Sequence, residues 1–200
     1  MIMFKVLAVS NRKLCSNNFL EQIEKIAAAK PSGIILREKD LTEHAYEKLA
    51  LKVIEICKSY QVPCILHTFV NVARNLGYRA IHLPISVLQK EFGNLHEFDT
   101  IGSSVHSVDE AMQAEKLGAS YIMAGHIFTT NCKKGLMPKG YSFLMNIINA
   151  VRIPVYAIGG ISPEKANEVV NMGVKGVCIM SGFMQCLSPL EYLMSFRIDK

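Results

Sequence analysis

The chain has 200 residues, of which 50% are hydrophobic and 20% are charged, and its formal net charge is +5. This composition excludes an intrinsically disordered chain and supplies enough apolar side chains for one large core. Because the lysines and arginines are scattered along the chain, the charge favours small anionic ligands over a nucleic-acid groove.

The amino-terminal region and the cysteines give no sign of export or of a metal site. The first apolar run is too short to span a bilayer and has no charged flank before it. The six cysteines show no C-x-x-C spacing, so neither a disulfide framework nor a zinc site is indicated. We therefore expect a cytoplasmic protein that contacts neither membrane nor nucleic acid.

Apolar runs of about five residues recur along the chain, and each is followed by a segment with helical periodicity. The predicted strands are residues 4–9, 33–37, 63–67, 80–83, 100–104, 121–125, 154–159 and 176–180. Near-continuous apolar strands joined by helices predict a parallel sheet that is covered on both faces. An open doubly wound sheet fits the same pattern, but eight strands favour closure. We therefore predict an α/β fold, a single (β/α)8 TIM barrel domain over residues 1–200.

Polar residues follow the predicted strands, where a barrel of this kind places its chemistry. The set comprises Arg37, Glu38, Lys39, His67, Thr68, Ser104, His106 and His126. A single histidine at a strand end is more often a structural residue than a catalyst. Convergence of so many polar groups on one rim nevertheless favours a ligand site.

Two glycine-containing turns predict a phosphate site on the same rim. Gly159 and Gly160 lie between the seventh strand and a helix that opens with Ser162 and Pro163, while Ser181 and Gly182 follow the eighth strand. Such turns let backbone N–H groups and a helix N-terminus approach an oxyanion. The long irregular stretch at 128–140 is expected to be a functional loop.

In combination, five segments resemble the thiamine phosphate synthase superfamily: residues 36–40, 101–107, 119–135, 154–162 and 175–182. Synthases of this superfamily carry an N-D motif after the third strand and an acidic G-Q-E-D-type segment after the fourth, whose carboxylates hold Mg²⁺ against a pyrophosphate leaving group. Here the two places read His67–Thr68 and LPISVL at 83–88, and His126 replaces a proline of the G-P-x-F-x-T segment. These differences resemble the other branch, the TenI-type thiazole tautomerases.

The tautomerase resemblance implies an isomerase of thiamine biosynthesis that aromatises a carboxylated thiazole phosphate by proton transfer. It implies no metal and no cofactor, with His126 as the catalytic acid and base. The substrate-binding residues it implies are Arg37, Lys39, Ser104, Thr130, Lys133, Gly159, Gly160, Ser181 and Gly182. The roles of His67 and His106 stay open.

Two alternatives to the tautomerase stay open. The chain could be a thiamine phosphate synthase, or a non-catalytic regulatory protein that binds a phosphate ligand. The expected partner in each case is a small phosphorylated thiazole. Apolar helix faces are compatible with a homodimer, but the pattern identifies no interface.

Overall fold

A computed structural model of the protein describes residues 4–16, 18–133 and 135–196. Eight parallel strands follow one another in chain order and close into a barrel, because β1 pairs with both β2 and β8. The strands are β1 Lys5–Val9, β2 Gly33–Leu36, β3 Cys64–His67, β4 Ala80–Pro84, β5 Thr100–Val105, β6 Tyr121–Gly125, β7 Val155–Ile158 and β8 Gly176–Ile179. The predicted TIM barrel is confirmed. The predicted domain of 1–200 also includes residues 1–3, 17, 134 and 197–200, which lie outside the described residues.

Helices connect the strands and cover the outside of the barrel. They are α1 Phe19–Ala28, α2 Glu43–Ser59, α3 Val70–Asn75, α4 Ile85–Lys90, α5 Val108–Lys116, α6 Gly140–Ala150, α7 Pro163–Asn171, α8 Ser181–Gln185 and α9 Pro189–Met194. Side-chain caps begin several of them: Asn18 accepts from the backbone of α1, Thr42 from α2 and Ser107 from α5. None of the helices described is long and apolar enough to cross a bilayer.

No predicted strand end differs from the observed one by more than one residue. β7 ends at Ile158 and not at residue 159, because Gly159 has a φ of +101° and leaves the extended region. β5 runs one residue further than predicted, to Val105. The loop expected at 128–140 is present, and it contains a short 3-10 turn at Asn131–Lys133 before α6 begins.

Two apolar layers follow from the alternation of side chains along the strands. On β1, for example, Val6 and Ala8 pack outward against the helices, while Leu7 and Val9 point into the barrel. The interior layer also includes Ile35, Ile65, Tyr121, Met123, Tyr156 and Cys178. These side chains fill the barrel, so any ligand site must lie above them at one end.

Candidate functional site

One cavity of about 610 Å³ lies at the carboxyl ends of the strands, and we call it the mouth. Its volume is in the range of small-molecule sites. Its floor is apolar and includes Ile35, Met123 and Ile158. Twelve of the sequence-predicted residues line it: Arg37, Lys39, His67, Ser104, His106, His126, Thr130, Lys133, Gly159, Gly160, Ser181 and Gly182. The structure therefore brings most of the predicted set together, whereas Glu38 and Thr68, also predicted for the rim, do not line the mouth.

Three cations, Arg37, Lys39 and Lys133, form what we call the cationic side of the mouth. Burial lowers the pKa of Lys39, and the neighbouring charges of Arg37 and Lys133 lower it further. Among the described residues that line the mouth there is no aspartate or glutamate, so this side is suited to an anion.

The acidic residues next to these cations point elsewhere. Glu38 is buried and accepts hydrogen bonds from Ser10 Oγ at 2.7 Å and from Arg12 Nη1 at 3.0 Å. Asp40 pairs with Arg12 at 2.6 Å and with Lys13 at 2.9 Å. The Arg12 guanidinium holds the pKa of the Asp40 carboxyl well below its usual range, and Lys13 adds to that effect. Within residues 37–40, Arg37 and Lys39 therefore line the mouth, whereas Glu38 and Asp40 are bound by residues outside it.

A second wall of the mouth, which we call the glycine side, is made of backbone at Gly159, Gly160, Ser181 and Gly182. Gly159 and Gly160 have φ values of +101° and +66°. A Cβ at Gly159 would collide with the Cβ of His126, and one at Gly160 would collide with the carbonyl oxygen of Thr129. The two glycines are thus required by the packing of residues 126–129 against them, independently of any ligand.

Backbone N–H groups are available on the glycine side because α7 and α8 both begin there. Ser162 precedes α7, which has Pro163 in its first turn, and α8 begins at Ser181. The first N–H groups of a helix have no acceptor within that helix. They are the groups that would bind a phosphate oxygen at this wall.

Three imidazoles line the mouth, and they differ in their hydrogen bonds and burial. His106 donates from Nδ1 to the carbonyl oxygen of Gly125 at 2.8 Å, which leaves Nε2 as its free ring nitrogen. His67 is buried, and burial lowers its pKa well below the ordinary value, so its ring is neutral. His126 is 9% exposed, and its Nε2 lies 3.4 Å from the carbonyl oxygen of Leu136, which is a long contact. Its imidazole is therefore weakly held.

The mouth does not match the donor set that Mg²⁺ requires. Mg²⁺ takes oxygen ligands and is usually held by one or two carboxylates together with phosphate. At the two positions where the resembling synthases have carboxylates, the mouth presents buried neutral His67 at the end of β3 and Pro84 and Ile85 after β4. No cluster of three or more potential ligands occurs among the described residues. We therefore derive no step through a metal.

Sequence reasoning missed two residues beneath the mouth, His82 and Tyr121. His82 is fully buried inside the barrel, and its Nε2 lies 2.8 Å from Ser104 Oγ. Its Nδ1 lies 3.0 Å from the hydroxyl oxygen of Tyr121. The signal in the sequence is a histidine in the middle of an apolar strand, since a buried polar group requires a partner.

Comparison with known proteins gives the family. The model described as thiamine monophosphate synthase matches residues 6–183. Thiamine-phosphate synthase of Clostridium acetobutylicum is 33% identical over 184 residues, which are 90% of this chain and 87% of that protein. Thiamine-phosphate synthase of Fusobacterium nucleatum is 34% identical over 95% of each chain. The solved thiamine phosphate pyrophosphorylase of Pyrococcus furiosus has a TM-score of 0.81 and 27% identity, with 96% of this chain and 93% of that one covered.

These findings correct the predicted branch. The prediction of a thiazole tautomerase, and with it of an isomerase, is wrong, because these relatives are named as synthases. The prediction depended on the side chains at His67–Thr68, at 83–88 and at His126, which are a few rim positions. The similarity to synthases, by contrast, extends over nine tenths of the chain. The chain belongs to the family described as thiamine monophosphate synthase, TMP-TENI.

Proposed function

We propose that this protein is a thiamine-phosphate synthase that joins a pyrimidine pyrophosphate to a thiazole phosphate in the mouth of the barrel and releases pyrophosphate. The observation that carries the proposal is the pairing of two anion-binding walls, the cationic side and the glycine side, around one cavity. A reaction between two phosphorylated molecules requires two such walls. The similarity to synthases over most of the chain supports the same reaction.

The cationic side is assigned to the pyrophosphate. Arg37 offers a planar fork of donors, while Lys39 and Lys133 act as point charges. Negative charge develops on the leaving oxygen as its bond to the pyrimidine methylene carbon breaks. Fixed cations at that point stabilise the transition state more than the ground state.

The glycine side is assigned to the thiazole phosphate. Backbone N–H groups near Gly160 and Ser181 would bind its oxygens, and the apolar floor would hold the two rings side by side. Ser104 and Thr130 are assigned as hydrogen-bond partners of the rings. Holding both reactants in one orientation is itself a large source of rate.

His126 is assigned as the catalytic residue that gives a proton to the departing pyrophosphate. Imidazole is the side chain that can donate and accept a proton near neutral pH. His126 lines the mouth and makes only a long contact to Leu136. Its ring is therefore free to turn toward a ligand.

A second candidate is favoured by the lack of a carboxylate among the described residues of the mouth. In that case the protein binds a phosphorylated thiazole without transforming it, as a regulatory protein would. Cytoplasmic location and a homodimer stay predictions from the sequence.

One experiment separates the two candidates. The protein is incubated with both phosphorylated substrates and with Mg²⁺, formation of thiamine phosphate is followed by chromatography, and binding of each substrate is measured by calorimetry. Turnover that is lost in Arg37→Met and kept in Lys52→Met, a change at an exposed lysine of α2, supports the synthase. Binding without turnover supports the second candidate. Failure to bind either substrate contradicts both.

A further inference from the structure

A chain of buried polar groups runs from the barrel interior to the mouth. The Tyr121 hydroxyl lies 3.0 Å from His82 Nδ1, and His82 Nε2 lies 2.8 Å from Ser104 Oγ. His82 is fully buried and Tyr121 is 6% exposed, whereas Ser104 lines the mouth. The three groups therefore connect an inaccessible phenol to a hydroxyl that a ligand can reach.

The protonation states of the two inner groups are fixed by their surroundings. Burial, together with the charges of Lys39 and Arg37, lowers the pKa of His82 to about 3. Burial also raises the pKa of Tyr121 well above its ordinary value. At neutral pH the imidazole is therefore uncharged and carries one N–H, and the phenol keeps its hydrogen.

The position of the single imidazole proton decides what Ser104 can do. If Tyr121 donates to Nδ1, then Nε2 carries the proton and donates to Ser104 Oγ. The Ser104 hydrogen is then free for the mouth. If instead Nδ1 carries the proton, Ser104 must donate to Nε2 and offers the mouth only an acceptor.

Hydrogen-bond satisfaction selects between the two arrangements. His82 Nδ1 is the hydrogen-bond partner that the described residues provide for the Tyr121 hydroxyl. With a proton on Nδ1, the phenol hydrogen would be buried without an acceptor, which is costly. With the proton on Nε2, each of the three groups has a matched donor or acceptor.

We propose that Tyr121 and His82 are positioning residues that fix Ser104 as a hydrogen-bond donor to the ligand. Ser104 would then select a molecule that presents an acceptor at this point, such as an aromatic ring nitrogen or an oxyanion, and would reject one that presents a donor. The selection of a ligand by Ser104 rests on the proposed function, because it requires the mouth to bind a thiazole or pyrimidine phosphate. The proton position does not depend on it.

The first test is nuclear magnetic resonance of the ligand-free protein, with long-range proton–nitrogen correlation spectra of the histidine rings. The His82 signals are assigned by their loss in His82→Gln. We expect a protonated Nε2 and an unprotonated Nδ1 that do not change between about pH 5 and about pH 8, a range that lies on both sides of the ordinary histidine pKa of about 6.5. A proton on Nδ1 of the native protein overturns the proposal, whatever the activity of the protein.

The second test is the affinity for thiazole phosphate, measured by calorimetry. Ser104→Ala removes the donor and should weaken binding by about 2- to 10-fold, the value of one hydrogen bond. Tyr121→Phe should weaken it by a smaller factor, because it removes the donor that favours the proton on His82 Nε2 and so fixes the Ser104 donor less firmly. Tyr156→Phe is the matched control, since Tyr156 packs edge-on against Tyr121 in the same interior layer.

Two outcomes of the second test contradict the proposal. One is a Ser104→Ala protein that binds thiazole phosphate as tightly as the native protein does. The other is an equal loss of affinity in Tyr156→Phe and Tyr121→Phe, which would indicate a general effect on packing. If the native protein binds no thiazole phosphate, the proposed function fails, and the proton position is still decided by the first test.

Discussion

The anion binding that we propose for the two walls of the mouth uses a different means at each wall. The cationic side uses long side chains, Arg37, Lys39 and Lys133, whose charges repel one another. The glycine side uses backbone, held in place by close packing of residues 126–129 against Gly159 and Gly160. A charged wall can therefore be weakened one side chain at a time, whereas a backbone wall is lost only when its packing is disturbed.

Gly160→Ala should produce the largest loss of stability and of phosphate binding, because it disturbs the backbone of the glycine side. The new Cβ would require a positive φ, which costs an alanine about 1 to 2 kcal/mol. It would also lie against the backbone of Phe128 and Thr129, and such overpacking adds about 1 to 3 kcal/mol. Chemical denaturation should show the loss in the free energy of unfolding, and calorimetry should show weaker binding of inorganic phosphate.

Gly118→Ala is the control for that change. Gly118 has a φ of +87° and open space around its Cβ position, so only the backbone cost applies. Equal losses of stability in the two variants would show that close packing of the glycine side contributes nothing.

Lys39→Met tests the charged wall. A hydrogen bond to a charged group contributes about 1.5 to 3 kcal/mol, so pyrophosphate should bind about 10- to 100-fold more weakly. Thiazole phosphate, bound at the other wall, should lose much less affinity. Lys52→Met, at an exposed position of α2, provides the comparison, and a similar loss in both variants would show that general charge is responsible.

The buried imidazoles beneath the cationic side predict a dependence of stability on pH. Burial lowers the pKa of His82 to about 3 and that of His67 well below its ordinary value. Unfolded histidines take up protons below about pH 6.5, while the folded ones do not. The unfolded state then binds more protons, so the free energy of unfolding is at its full value above pH 6.5 and falls as the pH drops toward 3.

His67→Asn should make that dependence shallower by about 1 kcal/mol per pH unit in this window. Denaturant unfolding at several pH values between 4 and 6.5, a window set by the ordinary histidine pKa, measures the slope. His44→Asn, at an exposed position of α2, should leave it unchanged. An unaltered slope in His67→Asn would mean that His67 is protonated in the folded protein.

Removal of divalent metal should have the smallest effect on the binding of pyrophosphate. Because the described part of the mouth offers cations and no carboxylate, pyrophosphate should bind to the protein in EDTA, as followed by calorimetry. Binding in EDTA should be lost in Lys39→Met. Binding that appears only when Mg²⁺ is added would contradict the assignment of the cationic side.

The fold and the membership of the mouth could be predicted from the sequence because both depend on local patterns. Apolar runs mark the strands, so the predicted strand at 121–125 coincides with Tyr121–Gly125. The residue after a strand in a barrel necessarily lies on the rim. This is why twelve scattered residues could be assigned to one cavity.

Long-range partners could not be predicted in the same way. Nothing near Glu38 indicates that Arg12, 26 residues away, binds it, and His82 and Tyr121 are 39 residues apart. The glycines of residues 159–160 were interpreted as space for a phosphate, yet the structure shows that the neighbouring loop requires them as well. The branch of the family was predicted wrongly because a few rim side chains were given more weight than the chain as a whole.

Residues 37–40 contain two positive and two negative side chains, Arg37, Glu38, Lys39 and Asp40, and so add nothing to the net charge. The fold nevertheless separates them into two layers, with the cations on the mouth and the anions bound to Arg12 and Lys13. A neutral segment thereby produces a local positive field that the overall charge of the chain does not report. Arg12, which does not line the mouth, keeps this separation in place. If the mouth binds anions as proposed, Arg12 would influence their affinity without touching them, and salt should screen the exposed Asp40 pair more than the buried Glu38 pair.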